Sequence, residues 1–155
     1  MRKDEMAQTL VCLRVHVVFS TKDRRPMITP EVEPELYAYL GGIAKNLDSP
    51  CLAAGGTSNH VHLLISQSKN IALSHLMEGI KKSSSKWIKT KGPGLRGFGW
   101  QDGYGAFTIG QSQVEALKRY IAAQRERHKK QTFEEELVTL LNKYGVQYDE
   151  RYIWS

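Results

Sequence analysis

The sequence is short of the features that would set it apart from ordinary globular chains. Its 155 residues include two cysteines, Cys12 and Cys51, each in an apolar stretch and without CxxC spacing. Neither a disulfide scaffold nor a cysteine-bound zinc is indicated, and both thiols are expected free in a reducing cytoplasm. Five prolines and thirteen glycines are too few for a collagen-like or low-complexity chain. No apolar run approaches the roughly 18–20 residues of a bilayer span. Behind Met1-Arg2-Lys3-Asp4-Glu5 there is no signal-peptide core, because polar residues recur as far as Thr9. A GxxxxGK[ST] loop for a nucleoside triphosphate is also missing. What remains is 41% hydrophobic and 25% charged, which points to one cytoplasmic domain over 1–155, large enough to bury its own core.

Acids are scarce in two places. Between Lys69 and Arg96 the bases Lys69, Lys81, Lys82, Lys86, Lys89, Lys91 and Arg96 meet one acid, Glu78. From Lys118 to Lys130 the bases Lys118, Arg119, Arg125, Arg127, Lys129 and Lys130 meet only Glu126. The last 25 residues reverse the sign, within a formal net charge of +6. Two basic segments on a balanced chain suggest a footprint for phosphates, although solvated helix faces produce the same pattern.

Leu10 to Ser20 is β-branched and too apolar for an edge, so it reads as a central strand. Thr29-Pro30 reads as the cap and first residue of a helix whose stripe is Val32, Leu36, Leu40, Ile43 and Leu47. Ser49–Gly56 and His60–Ser66 form a hairpin about Gly55-Gly56 and Ser58-Asn59. Asn70 can cap a second helix carrying Leu73, Leu76, Met77, Ile80, Ser84, Trp87 and Ile88, and a strand at about Tyr104–Ile109 follows. The order β-α-β-β-α-β is the ferredoxin-like arrangement of an α+β protein, an antiparallel sheet with helices on one face. A third helix from about Ser112 to Lys130 and a fourth, opened by the capping box of Thr132 and Glu135, complete the chain. The aromatic tail after Gly145 has no assigned place.

His60-Val61-His62 puts two imidazoles on one face of a strand while Val61, Leu63 and Ile65 fill the other. A lone His-x-His is a weak motif, but here two polar rings fall on what should be an inner strand. On the third helix Tyr120 and Gln124 are four residues apart and project the same way, flanking the stripe Val114, Leu117 and Ile121. A tyrosine beside such a stripe is ordinarily half-buried packing. Gln124 offers a neutral hard oxygen, and with His60 and His62 it makes a three-ligand N,N,O set with open positions, suited to Mg²⁺ or Mn²⁺ as a Lewis acid. His16, His75 and His128 read as ordinary surface or core histidines, although His128, four residues after Gln124, could reach the site.

These residues resemble the single-tyrosine HUH transposases of the smallest bacterial insertion sequences. The likeness runs from His16-Val17-Val18-Phe19, Lys22 and Arg24 through Asn59-His60-Val61-His62-Leu63-Leu64 and Trp100-Gln101 to Tyr120–Gln124. It implies that His60, His62 and Gln124 ligate a metal and that Tyr120 is the nucleophile. It further implies cleavage and rejoining of single-stranded DNA at element ends through a 5′-phosphotyrosine, with recognition of subterminal hairpins by a homodimer. On that basis Lys81, Lys82, Lys86 and Lys89 of the second helix, with Arg125, Lys129 and Lys130 of the third, are expected to bind nucleic acid. The resemblance leaves room for the tyrosine helix to dock on the partner's His-x-His strand, and the loop at Gly110-Gln111-Ser112 does not decide between that and a site within one chain.

Three other readings share the frame. An RNA-recognition module would need aromatics on the third strand, where Asn59–Ile65 has none. A domesticated relative or other single-stranded nucleic-acid binder would keep the fold without transposing, and a metal-dependent phosphoesterase would use water in place of Tyr120.

Overall fold

In a computed structural model, residues 7–154 are described. Four strands, β1 (Arg14–Ser20), β2 (Cys51–Gly56), β3 (His60–Ser66) and β4 (Gly105–Ile109), form one antiparallel sheet in the order β2-β3-β1-β4. β1 pairs on both sides, with His16 opposite Leu64 and Phe107, so the strand expected to be central is central. It is shorter than its apolar run, because Leu10, Val11 and Leu13 lie exposed ahead of the first ladder pair.

Alternation along β1 and β3 divides the residues between two cores. Val15, Val17, Phe19, Val61, Leu63 and Ile65 face α1 (Glu33–Asn46) and α2 (Leu73–Ile88), packing on Leu36, Leu40, Leu76, Met77 and Ile80. The opposite face carries His16, Val18, His60, His62 and Leu64. It is covered by α3 (Val114–Ala122), α4 (Gln124–Arg127) and α5 (Phe133–Lys143). The sheet is therefore a wall with an apolar side and a side on which imidazoles alternate with aliphatics.

Three boundaries differ from expectation for local reasons. α1 starts at Glu33, because the Thr29 carbonyl accepts from the Val32 and Glu33 amides and Pro34 occupies the first turn. α2 starts after Ala72, and Asn70 does not cap it. The third helix does not run through to Lys130: Ala123, at φ −95° and ψ 16°, breaks it into α3 and α4. The Thr132–Glu135 capping box forms as expected. The tail finds a place after all. Tyr148, Ile153 and Trp154 pack on Phe107, Phe133 and Leu141, and the Arg24 guanidinium lies 5.1 Å from the Trp154 ring centre.

One glycine sets the distance between helix and sheet. A Cβ on Gly55 would lie 2.5 Å from the Ile121 carbonyl oxygen and 2.9 Å from its Cγ2, so α3 reaches β2 only because that side chain is absent. Tyr120 is thereby held over the imidazole face.

Candidate active site

The strand places His60 and His62 where the alternation requires, both fully buried and both facing α3–α5. The break at Ala123 turns Gln124 inward, and its Oε1 lies 2.8 Å from His60 Nε2. The fourth participant was not foreseen. Glu136 of α5, 2% exposed, sets Oε1 at 3.1 Å from His62 Nε2, 2.8 Å from His128 Nε2 and 3.6 Å from His60 Nε2. Its Oε2 accepts from Gln124 Nε2 at 3.0 Å and from the Tyr120 hydroxyl. One carboxylate thus joins the two expected histidines, the expected glutamine, the expected tyrosine and His128. Glu136 had a signal in the sequence. It falls on the buried stripe of α5 beside Phe133 and Leu141, where an acid needs a partner.

Burial, followed by the neighbouring His62, pushes both His16 and His60 down to about 3, so each is neutral near pH 7. Burial and then the Glu136 hydrogen bond hold the Tyr120 phenol above its usual 10. For Glu136, burial acts upward. Hydrogen bonds from His62, Tyr120 and Gln124, with the charge interaction at His62, outweigh it and keep the carboxyl ionised well below its usual range.

Counting protons tests whether these groups suit a cation. His60 Nδ1 lies 2.8 Å from Asn59 Oδ1; we assign the proton there, which leaves Nε2 with a bare lone pair facing the Gln124 oxygen. His128 lies between two acceptors, its Nδ1 2.6 Å from the Gln131 carbonyl and its Nε2 2.8 Å from Glu136 Oε1. His60, His62 and Glu136 set one ligand atom each within 4.8 Å of one another. A lone pair of His60 facing the Gln124 oxygen, with the outer nitrogen held by Asn59, is what a metal-binding set presents. The donors fit a divalent cation.

The basic residues divide. Lys82, Lys86 and Lys89 are exposed on α2, and Arg125, Lys129 and Lys130 at α4 and just after it. The two groups lie on opposite faces of the sheet. Arg125 pairs with Glu33 and Lys129 with Glu126. Lys81 differs from the rest. Its ammonium donates to the carbonyls of Gln101, Asp102 and Gly103 at 2.5, 2.8 and 3.0 Å, and burial lowers it to about 8. It ties the loop before β4 to α2 and leaves little for a phosphate. A cleft of about 710 Å³ opens beside the histidines, its lining including Asn59, the bases Arg125, Lys129 and Lys130 and the acids Glu134 and Glu135. No helix among the described residues is long and apolar enough to cross a membrane.

Comparison with known proteins bears on the fold and the family. A structure of a candidate transposase from Deinococcus radiodurans R1 superposes with a TM-score of 0.61 at 22% identity, over 80% of this chain and 98% of that one. A REP-associated tyrosine transposase, solved bound to a REP hairpin, gives 0.59 at 15% identity over 81% and 74% of the respective chains. Both likenesses establish the fold. No curated protein sequence matches significantly. The family described as "Transposase IS200 like" matches residues 9–124, from the approach to β1 through Gln124, and the chain belongs to that family.

Proposed function

We propose that this transposase cuts and rejoins single-stranded DNA through a covalent bond to Tyr120. The observation that carries the reading is the meeting of Tyr120 and Gln124 with His60 and His62 around one carboxylate. His60, His62, Gln124 and Glu136 would hold a divalent ion, Mg²⁺ or Mn²⁺, which when bound polarises a phosphate oxygen and offsets its charge. The rest falls to the chain's own groups. Burial and Glu136 keep the proton on the phenol, so Tyr120 attacks as neutral phenol. As the bond from its oxygen to phosphorus forms, the proton passes to Glu136 Oε2, which already accepts it. The bond from phosphorus to the 3′-oxygen breaks, and that oxygen takes a proton from water. A phosphotyrosine keeps the energy of a phosphodiester, so a second 3′-hydroxyl reverses the step without a nucleotide cofactor.

The strand enters through the cleft at Arg125, Lys129 and Lys130. A DNA hairpin, by analogy with the REP hairpin held by the REP-associated relative, suits the lysines of α2 on the other side of the sheet. Excision needs a cut at each end, so two copies act as a homodimer. The nearness of Tyr120 to His62 and Glu136 of the same chain supports a site within each copy. The alternative, a tyrosine supplied by the partner, is separated from it by mixing subunits.

The test is cleavage of a labelled single strand carrying a hairpin. Cutting should stop in excess chelator, return with Mg²⁺ or Mn²⁺, and be absent for a blunt duplex. Full activity in chelator removes the metal, and cutting by the Tyr120→Phe protein removes the nucleophile.

A further inference from the structure

α4 is one turn of helix, Gln124–Arg127, cut off from α3 at Ala123 and ended by His128 at φ −82° and ψ 5°. So short a helix has no stability of its own, and what holds Gln124 toward His60 must come from contacts made by its side chains. Gln124 itself reaches His60 and Glu136, both inside the metal set. Arg127 lies 4.5 Å from the Tyr120 ring centre, within the same helical layer. Glu126 pairs with Lys129, also on that layer. Among the described residues, Arg125 makes the one polar contact from α4 to the opposite layer. Its Nη2 donates to Glu33 Oε1 in the first turn of α1, and both helices lie against the edge strand β2.

Glu33 is well placed to anchor that guanidinium. It is 8% exposed, and an acid so deep in the protein needs partners. Its Oε2 accepts from the Tyr37 hydroxyl at 2.6 Å. Burial, then that hydrogen bond, holds the Tyr37 phenol above its usual 10 and keeps it a donor. With one oxygen taken by Tyr37, the other is directed at Arg125. The Arg125 side chain is otherwise largely in solvent, and its Nε and Nη1 have no hydrogen-bond partner among the described residues. One edge of the guanidinium is anchored, and the other is open to a phosphate in the cleft.

We propose that Glu33 is a positioning residue of the metal site: through Arg125 it holds the α4 turn so that Gln124 presents its oxygen beside His60. The proposal rests on Gln124 as a metal ligand. Charge and position give opposite signs for Arg125. A carboxylate attracts a nearby cation and a guanidinium repels it, so by charge alone the loss of Glu33 weakens cation binding and the loss of Arg125 strengthens it. Positioning makes both losses weaken it, because either one frees α4. A pair that only stabilises the fold lowers the melting temperature and leaves the affinity of the folded protein unchanged.

The test is the Mn²⁺ affinity of the full chain without DNA, titrated with the free ion followed by electron paramagnetic resonance, below the unfolding transition of each variant. Gln124→Ala should weaken binding. Glu33→Gln and Arg125→Met should each weaken it about tenfold, the lower end for residues that orient a metal ligand. In the Gln124→Ala background neither should change it further, since the three residues act in one chain of contacts. Should Glu33→Gln not fold, Arg125→Met on its exposed side chain decides the sign alone. Binding by Arg125→Met as tight as the parent's or tighter, or full additivity with Gln124→Ala, overturns the positioning role and leaves Gln124 as a ligand standing. A parent that binds no Mn²⁺, or binding untouched by Gln124→Ala, overturns the ligand reading and this inference with it.

Discussion

Replacing Glu136 by glutamine keeps the shape of the side chain and removes its charge, and the structure sets the cost. The carboxylate is 2% exposed and accepts from His62, Gln124 and the Tyr120 hydroxyl while His128 abuts Oε1. An amide has one accepting oxygen, so it can serve one side and must turn its NH₂ toward the other. Hydrogen bonds to a charged group contribute about 1.5–3 kcal/mol each. Losing the charge and one such contact should therefore destabilise the metal-free protein by about 2–4 kcal/mol at pH 7, a large part of the usual margin of about 5–15 kcal/mol. The pH dependence gives a sharper reading. The folded pKa lies below the ordinary 4.5, so this stabilisation is fully present above 4.5 and is lost as pH falls toward the folded value. Urea unfolding of both proteins in chelator from pH 7 to pH 3 should show the gap narrowing below about 4.5. A glutamine variant as stable as the parent at pH 7, or a gap that widens in acid, would refute the assignment of Glu136 as the ionised centre of the site.

Gly55→Ala should destabilise by about 1–3 kcal/mol in thermal unfolding and slow cleavage, because the new Cβ meets the Ile121 carbonyl. Gly97→Ala, with nothing within 4 Å, is the matched control and should lie within about 0.5 kcal/mol of the parent. Mixing Tyr120→Phe with His62→Ala subunits should give no cleavage when the site is built within one chain; recovery after subunit exchange would return the tyrosine to the partner. Lys86→Ala should lower the salt slope of single-strand binding by about 0.7 without touching the melting temperature. Lys81→Ala should do the opposite, lowering stability because three loop carbonyls lose their donor.

The frame was legible because its signals are local. Alternation on His60–Ser66, the apolar stripes of α1 and α2 and the Thr132 cap each specify an element without reference to the others. The site was legible as far as spacing carries it, to His60, His62, Tyr120 and Gln124. Glu136 was not, because its role depends on α5 folding back over the sheet, a contact across 74 residues from His62 that no local period encodes. The break at Ala123 was hidden for a similar reason. Nothing in Tyr120–Gln124 disfavours a continuous helix, and the turn there goes with the inward placement of Gln124 against His60. Lys81 shows the limit of charge counting: its charge suggested a phosphate contact, while its neighbours in space are backbone carbonyls.

The central claim is a covalent bond between Tyr120 and DNA. Incubation with a hairpin-bearing single strand and Mn²⁺, followed by denaturation, proteolysis and mass spectrometry, should recover one cross-linked peptide with the nucleotide 5′-phosphate on Tyr120, absent in chelator and from the Tyr120→Phe protein. Cleaved DNA with no such peptide, or a nucleotide on Tyr104, Tyr144 or another residue, would contradict the account.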